Sequence, residues 1–525
     1  MIGRDGLMVL GLDSLDPDLV EQWAAEGELP ALRRLYETAA QGRTGNPSGL
    51  VSGALWPSFH TGLPAGEHGQ YDGVKRFDPS TYRDRHIGPE DIVAKPFWVR
   101  LSEAGHRVGV IDAPHCFLYP GLNGFQVVDW MTHLRVYDNA VARSTPPDLA
   151  DTLVETFGDD PFPRGPRCPT DDADVDTPEG VRDFMERMRG RIRRKLDACL
   201  WLLEREPLDF FFVAFDAAHD TGHMLWHVHD RTSPHHRPDL LEACGDPLLE
   251  IYREIDAAVG RLLAAVGPDV ASLVVLSHGI GRSVTASRTL DTVLSRLEAV
   301  YYPGDVAAAR QSRNWRTVAR SAWRRLPEPV RRQVGRATEE HRRSLRSDIV
   351  AQQRAARRMF EIYMFDSAGA VRINLKGREA RGRVAPGAEY ETLVRRLAED
   401  LEALTNADTG EKLVEAIILA DQIYPGPQRD CLPDLLIEWN RSERIDRVAS
   451  PTLGVIDNPE IGVRSGDHRF EGAWFLNSSA LGRVRRNQPV PNTAFAHEIL
   501  DLFRVKDDPE RPRLGLLSSG EASVV

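Results

Sequence analysis

The stretch "FFFVAFDAAHDTGHMLWHVHD", from Phe210 to Asp230, carries four of the chain's sixteen histidines and three aspartates directly after an apolar run. His219 and His223 stand four residues apart, a spacing that on a helix lets two imidazoles meet one metal ion. At 100° per residue, Asp216, His219, Asp220 and His223 share one helical arc of about 100°. The same composition also suits a helix N-terminus, where aspartate accepts bonds from free N–H groups. Taken alone, the stretch supports both a metal site and a polar helix start.

Three other places offer chemistry. The segment "SGLVSGALWPSFHTGLPAGEHGQYD" (48–72) is dense in small residues and reads as a turn into a helix. A hydroxyl there is helped towards an anion by the helix dipole, so Ser52 or Ser48 is a candidate nucleophile and equally a candidate N-cap. The segment "VVLSHGIG" (274–281) is a buried strand ending at His278, and "SGDHRFEGAW" (465–474) sets His468 in a Gly-rich loop. Each lone histidine also has an ordinary structural reading; their joint order along the chain is what gives them weight.

The elements that must position these residues are short apolar runs alternating with helical patterns. Strands are expected at 7–13, 107–113, 208–215, 271–278, 370–375 and 434–439, with amphipathic helices at 16–40, 179–205 and 247–266. This alternation predicts an α/β fold with a mostly parallel sheet covered by helices on both faces. Active sites of such sheets lie beyond the strands' carboxyl ends. The polar residues closing the first four strands are Asp13, Asp112, Asp216 and His278.

The chain has 525 residues and a formal net charge of -12, which argues against a general binder of polymeric nucleic acid or anionic membrane. Five scattered cysteines without CxxC spacing fit reduced thiols in a cytoplasm. The apolar start is too short for a signal sequence, and no run is long enough to span a membrane. Cytoplasmic location is therefore expected. Residues 310–358 hold 15 arginines against four acids, and the expectation is a basic helical cap inserted at 284–365 between core segments 1–283 and 366–525. That segment serves either as a solvated face on an acidic body or as an attractor of anionic substrate.

With these landmarks in order, the chain resembles the type I phosphodiesterase and nucleotide pyrophosphatase family of the alkaline phosphatase superfamily. Asp13 closes the first strand in "VLGLDSLDPDL", and "SGALWPSFHTGLPAGEHG" matches the family's nucleophile segment, placing Ser52 at the nucleophile. The histidine pair, an "SHG" and a late G-x-H follow, with further likeness in "RINLKGREARG" (372–382) and "PDLLIEW" (433–439). Three positions depart from the pattern: His219 and Ser277 stand where the family has aspartate, and Gly73 where nucleotide pyrophosphatases have a phosphate-binding asparagine.

The resemblance implies a metal-dependent phosphate ester hydrolase, foremost a phosphodiesterase, with a small-molecule phosphate ester as its partner. It implies zinc, one or two ions, with manganese also admitted. Its expected ligands are Asp13, Ser52, Asp216, His219, His223, His278 and His468. Asp216 or Asp220 would complete the set left short at Ser277. Lys75, Arg76 and His227 are candidate substrate contacts. The same scaffold serves phosphomonoesterases, phosphonate and sulfate ester hydrolases and phosphoryl transferases, so fold alone does not choose among them. Two readings from other classes are a catalytically degenerate binding protein and an anion-binding scaffold built on the Arg-rich segment.

Overall fold

The structure is a computed structural model. It describes residues 1–525 except 138–140, 163–169, 171–172, 284–285, 305–338, 363, 365–367, 442–444, 459–463, 479–483 and 507–525; the side chains of 51–52 and 339–346 also lie outside. Most of the Arg-rich segment, 310–358, is thus outside the described residues.

Fifteen strands matter for the site. They are β1 (Ile2–Leu12), β2 (Ala40–Gly45), β3 (Val108–Ile111), β4 (Gly124–Val128), β5 (Arg143–Thr145), β6 (Leu208–Phe215), β7 (Ala271–Leu276) and β8 (Gly279–Arg282), followed by β9 (Met359–Glu361), β10 (Ala368–Ile373), β11 (Val414–Leu419), β12 (Leu435–Trp439), β13 (Gly466–Arg469), β14 (Gly472–Asn477) and β15 (Val490–Pro491). Nine of them form the central sheet, in the order β15-β2-β14-β7-β1-β6-β3-β4-β5. β7, β1, β6, β3 and β4 run parallel, while β14 and β5 join antiparallel on either side.

Alternate side chains of the parallel strands enter two different cores, because successive residues of a strand point to opposite faces. Met8, Leu10, Leu12, Phe211, Val213 and Phe215 lie in one core. That core is closed by helices α1 (Pro17–Glu26), α2 (Pro30–Thr38), α4 (Pro178–Arg205), α5 (Ala217–His229) and α6 (Pro247–Val266). Leu7, Val9, Phe210, Phe212 and Ala214 lie in the other, under α3 (Val51–Thr61), the helix Phe97–Glu103 and α7 (Ala494–Leu502). Burial on both faces is why these strands read as unbroken apolar runs.

Two expectations need correction. The helix expected over 16–40 is two helices and the start of β2, because Gly27 takes a left-handed conformation (φ 87°) and Pro30 opens a second helix. The strands expected at 370–375 and 434–439 do not join the main sheet. As β10 and β12 they form a separate antiparallel sheet in the order β9-β10-β12-β11. One face of this second sheet packs on helices Leu290–Tyr301 and Ala388–Glu402. Its other face meets Leu50, Ala54 and Tyr71, next to the start of α3.

Helix starts are held by carboxylates. Asp16 accepts from the N–H groups of Asp18 and Leu19 at the start of α1, and Asp246 from Leu248 and Leu249 at the start of α6. Asp256, buried in the middle of α6, accepts from Ala31 N (3.0 Å) and Leu32 N (2.7 Å) and so caps a neighbouring helix, α2. Replacing Asp256 with Ala is expected to cost about 1–2 kcal/mol, since two buried donors lose their acceptor. The measurement is a lower urea midpoint with an unchanged denaturant slope.

Candidate metal and active site

Five parallel strands end at one edge of the sheet, and each is followed by a polar residue: Asp13 after β1, Asp112 after β3, Asp129 after β4, Asp216 after β6 and Ser277 after β7. The ladder continues one step further, with Asp13 N donating to Phe215 O, Ser277 N to Leu12 O and Asp112 N to Val127 O. The side chains of Asp13, Asp112 and Ser277 therefore leave from backbone whose N–H groups are paired.

α5 starts immediately after β6 and turns His219 and His223 inward, one turn apart. His468 arrives on β13, which pairs with β8 so that Ile280 lies opposite His468. Glycines permit this close approach. A Cβ on Gly222 would sit 2.5 Å from Ile280, and one on Gly466 would overlap the Gly222 carbonyl. His223 Nδ1 donates to Gly466 O (2.7 Å), which leaves the lone pair of its neutral ring on Nε2. That Nε2 is 2.9 Å from His468 Nε2, which is in turn 2.9 Å from His219 Nε2.

All three rings are buried, and burial, followed by neighbouring positive groups, holds each far below the ordinary imidazole range. Three neutral rings that converge nitrogen to nitrogen cannot satisfy one another with the few protons they carry. A cation among them satisfies all three, and three imidazoles with an open fourth position are a common zinc donor set. The residues present therefore fit a divalent metal.

Beside this group lies Asp13. Its Oδ1 accepts from Trp56 Nε1 (2.9 Å) and Ser277 Oγ (2.8 Å), and His278 Nε2 stands 3.7 Å away. Ser277 thus serves Asp13 as a hydrogen-bond donor. Asp216 accepts from the backbone N–H of His133 (2.5 Å) and from the His133 ring (3.1 Å), so it meets the cluster through that histidine. Burial alone would raise the Asp216 carboxyl, but Lys195, then His133 and Arg191, bring it well below the ordinary range. Asp220 lies behind His219, its Oδ1 3.6 Å from that ring's Nδ1. It accepts from Arg191 (2.8 Å), whose guanidinium also grips Asp160 with two bonds.

The structure thus brings together Asp13, His219, His223, His278 and His468, with Asp216 behind His133. Residue 52 lies in the first turn of α3, one helical turn before the Trp56 that bonds Asp13; its side chain is outside the described residues. Leu50 provides no side-chain cap for that helix start. Gly53 is required where it stands, because a Cβ would overlap the Tyr71 carbonyl oxygen. The candidate substrate contacts are placed differently. Arg76 is tied to Asp91 (3.2 Å), Lys75 is exposed on a short strand, and His227 bonds Ser465 through Nδ1 (2.8 Å).

Two histidines of this region escape a reading of motifs. His133 follows β4 in "VVDWMTHL", and its signal was an aspartate four residues earlier at the end of a short strand. His115 follows Asp112 at the end of β3. Its ring fills the space beside Gly73, where an added Cβ would lie 2.6 Å from it.

A comparison with protein families adds a decisive observation: residues 7–466 match the type I phosphodiesterase / nucleotide pyrophosphatase family. The chain belongs to that family. Membership supports a phosphoester hydrolase, and the family's metal dependence agrees with the candidate metal-binding groups. Among solved structures, the phosphonoacetate hydrolase from Sinorhizobium meliloti in complex with phosphonoformate is 13% identical, with a TM-score of 0.49 over 95% of this chain and 96% of its own. Murine ectonucleotide pyrophosphatase / phosphodiesterase 5 is 12% identical, with a TM-score of 0.47 over 96% of each chain. No curated protein matches the sequence.

The buried neutral rings predict an acid sensitivity. His68 accepts from Gln70 N at Nδ1 (3.1 Å) and meets Ser58 Oγ at Nε2 (3.0 Å), so protonating it breaks a backbone hydrogen bond. Burial pushes both His68 and His115 down to about 3. Between that value and about 6.5 the unfolded chain binds protons that the folded chain does not, so stability falls as pH drops below about 6.5. Urea midpoints of metal-free protein at pH 7, 6 and 5 are expected to decline, with at most about 1.4 kcal/mol per ring per pH unit.

Proposed function

We propose that the protein is a metal-dependent phosphodiesterase acting on small-molecule phosphate esters, with Ser52 as its nucleophile. The observation that carries this reading is the convergence of three neutral imidazole nitrogens, at 2.9 Å, beside the strand end that holds Asp13 and the helix start that holds Ser52. His219, His223 and His468 would hold the ion, with zinc the best match to the donor set and manganese an alternative. When bound, that ion supplies Lewis-acid polarisation of a phosphoryl oxygen and lowers the pKa of a hydroxyl nucleophile.

The chain's own residues account for the rest. Leu50 gives the start of α3 no side-chain cap, and the N–H groups of a helix's first turn favour an anion there. Ser52 Oγ forms a bond to phosphorus as the bond to the leaving alkoxide breaks; the serine proton is released and the alkoxide takes one up. Water then cleaves the serine–phosphorus bond, its hydroxyl staying on phosphorus and its other hydrogen returning to Ser52. Ser52→Ala is expected to lower hydrolysis of an aryl phosphodiester by about 1,000-fold or more while leaving bound metal unchanged. Full activity of the variant would remove Ser52 from the mechanism.

Phosphate oxygens need cations besides the metal. Arg464 and Arg441 act on the histidine cluster: Arg464 depresses His223 and His468, and Arg441 depresses His278 and His468, in each case after burial. Arg464, next in sequence to the Ser465 that bonds His227, is the proposed substrate contact. Arg464→Ala is expected to raise KM for the same diester about 10-fold with a smaller change in kcat. A fall in kcat with KM unchanged would assign Arg464 to another role.

A further inference from the structure

We propose that Asp220 is a positioning residue for His219, held in place by a buried chain of charged side chains. His219 turns its Nε2 to His468, at 2.9 Å, and its other nitrogen, Nδ1, to Asp220 Oδ1, at 3.6 Å. That Nδ1 is buried and makes no hydrogen bond within the described residues. A neutral imidazole that offers its lone pair on Nε2 carries its proton on Nδ1, so the ring needs an acceptor on that side. Asp220 is the acceptor placed there. The role rests on the three-histidine reading above; it concerns how the ring is held.

Both oxygens of this carboxylate are held. Asp220 Oδ2 accepts from Arg191 Nη1 (2.8 Å), and Oδ1 accepts from the Thr170 hydroxyl (3.3 Å). Arg191 stands midway along α4 and grips Asp160 with two further bonds, at 2.9 and 2.8 Å. Asp160 also accepts from Arg135 (2.6 Å), which lies just beyond His133 on the loop after β4. The His133 and His219 rings lie against each other, with centroids 3.9 Å apart. The chain Arg135–Asp160–Arg191–Asp220 therefore ties together the two segments whose rings meet. All four side chains are at most 4% exposed.

Two guanidiniums and two carboxylates balance in charge. Burying such a set gains little stability over well-packed apolar side chains, because desolvation offsets most of the attraction. What the set fixes is geometry, since the planar fork of Arg191 admits its partners only in defined directions. The chain ends on a carboxylate beside one nitrogen of His219. A carboxylate behind a ligating histidine orients the ring, sets its tautomer and makes its other nitrogen more basic. Asp220, which the sequence offered as a ligand, would thus act on a bound ion only through the ring.

The experiment uses the full-length protein with and without zinc. In the metal-free wild type, NMR of labelled histidine nitrogens, assigned with His219→Ala, is expected to find the His219 proton on Nδ1. A proton on Nε2 would overturn the role. Zinc affinity is read by competition with a chromophoric chelator, and Asp220→Asn is expected to weaken it about 10–100-fold. In the His219→Ala background the same change is expected to have no further effect; an equal loss there would overturn the role, because Asp220 would then act without the ring. Affinity unchanged in Asp220→Asn but reduced in His219→Ala would overturn the role and leave the three-histidine reading standing. No bound zinc in the wild type would overturn both. Thermal melts without metal show whether each variant is folded; if Asp220→Asn is not, the wild-type tautomer decides.

Discussion

The site depends on one constraint: parallel strands must stop, and the backbone groups just past their ends must find partners. Here the partners are carboxylates at the strand ends. Asp112 and Asp129 tie the loop after β4, Asp216 takes the N–H of His133, and Asp13 gathers the indole of α3 and the hydroxyl after β7. Buried acids without such donors would be costly. The same bonds that stabilise them fix where the imidazoles point, so structure and site are held by one set of contacts.

The outer layers serve that edge. The second sheet packs on the start of α3, where Glu438 accepts from Gly49 N (2.7 Å) and Tyr424 donates to the Ser48 carbonyl (2.6 Å). These two bonds hold the turn that leads into Ser52 from the side away from the main sheet. Arg191 does comparable work on the opposite side. By holding Asp220 and Asp160 together it fixes the carboxylate that stands behind His219. A cation held by neutral rings with few acids beside it would keep most of its charge, which favours an anionic ester.

Much of this was legible in the sequence. β1, β6 and β7 announced themselves as apolar runs ending in Asp, Asp and Ser-His, and α4 and α6 begin where Thr177 and Asp246 can cap them. The spacing of His219 and His223 was enough to place them on one face. Other parts were hidden for physical reasons. β10 and β12 are covered on both faces, so their composition copies that of a parallel strand although their pairing is antiparallel. β2 reads "AQGRTG" and carries no apolar pattern, because the sheet, not its own side chains, makes it a strand. β4 is too short to stand out, and His133 was lost with it. Arg76 looked available because its partner, Asp91, lies fifteen residues away in sequence.

The ribbon of β8 and β13 has a consequence for how the protein comes into being. It carries His468 to His219 and His223, ligand candidates made some 250 residues earlier during synthesis. Contacts of such sequence separation form late, since a long loop must close before any bond repays it. A ribosome-bound chain shorter than about 470 residues can fold β1, β6 and α5 but cannot complete the three-histidine group. Assembly of the three-histidine group therefore marks the near-completion of the described fold, and a nascent chain passes the early stages of synthesis with that group still open.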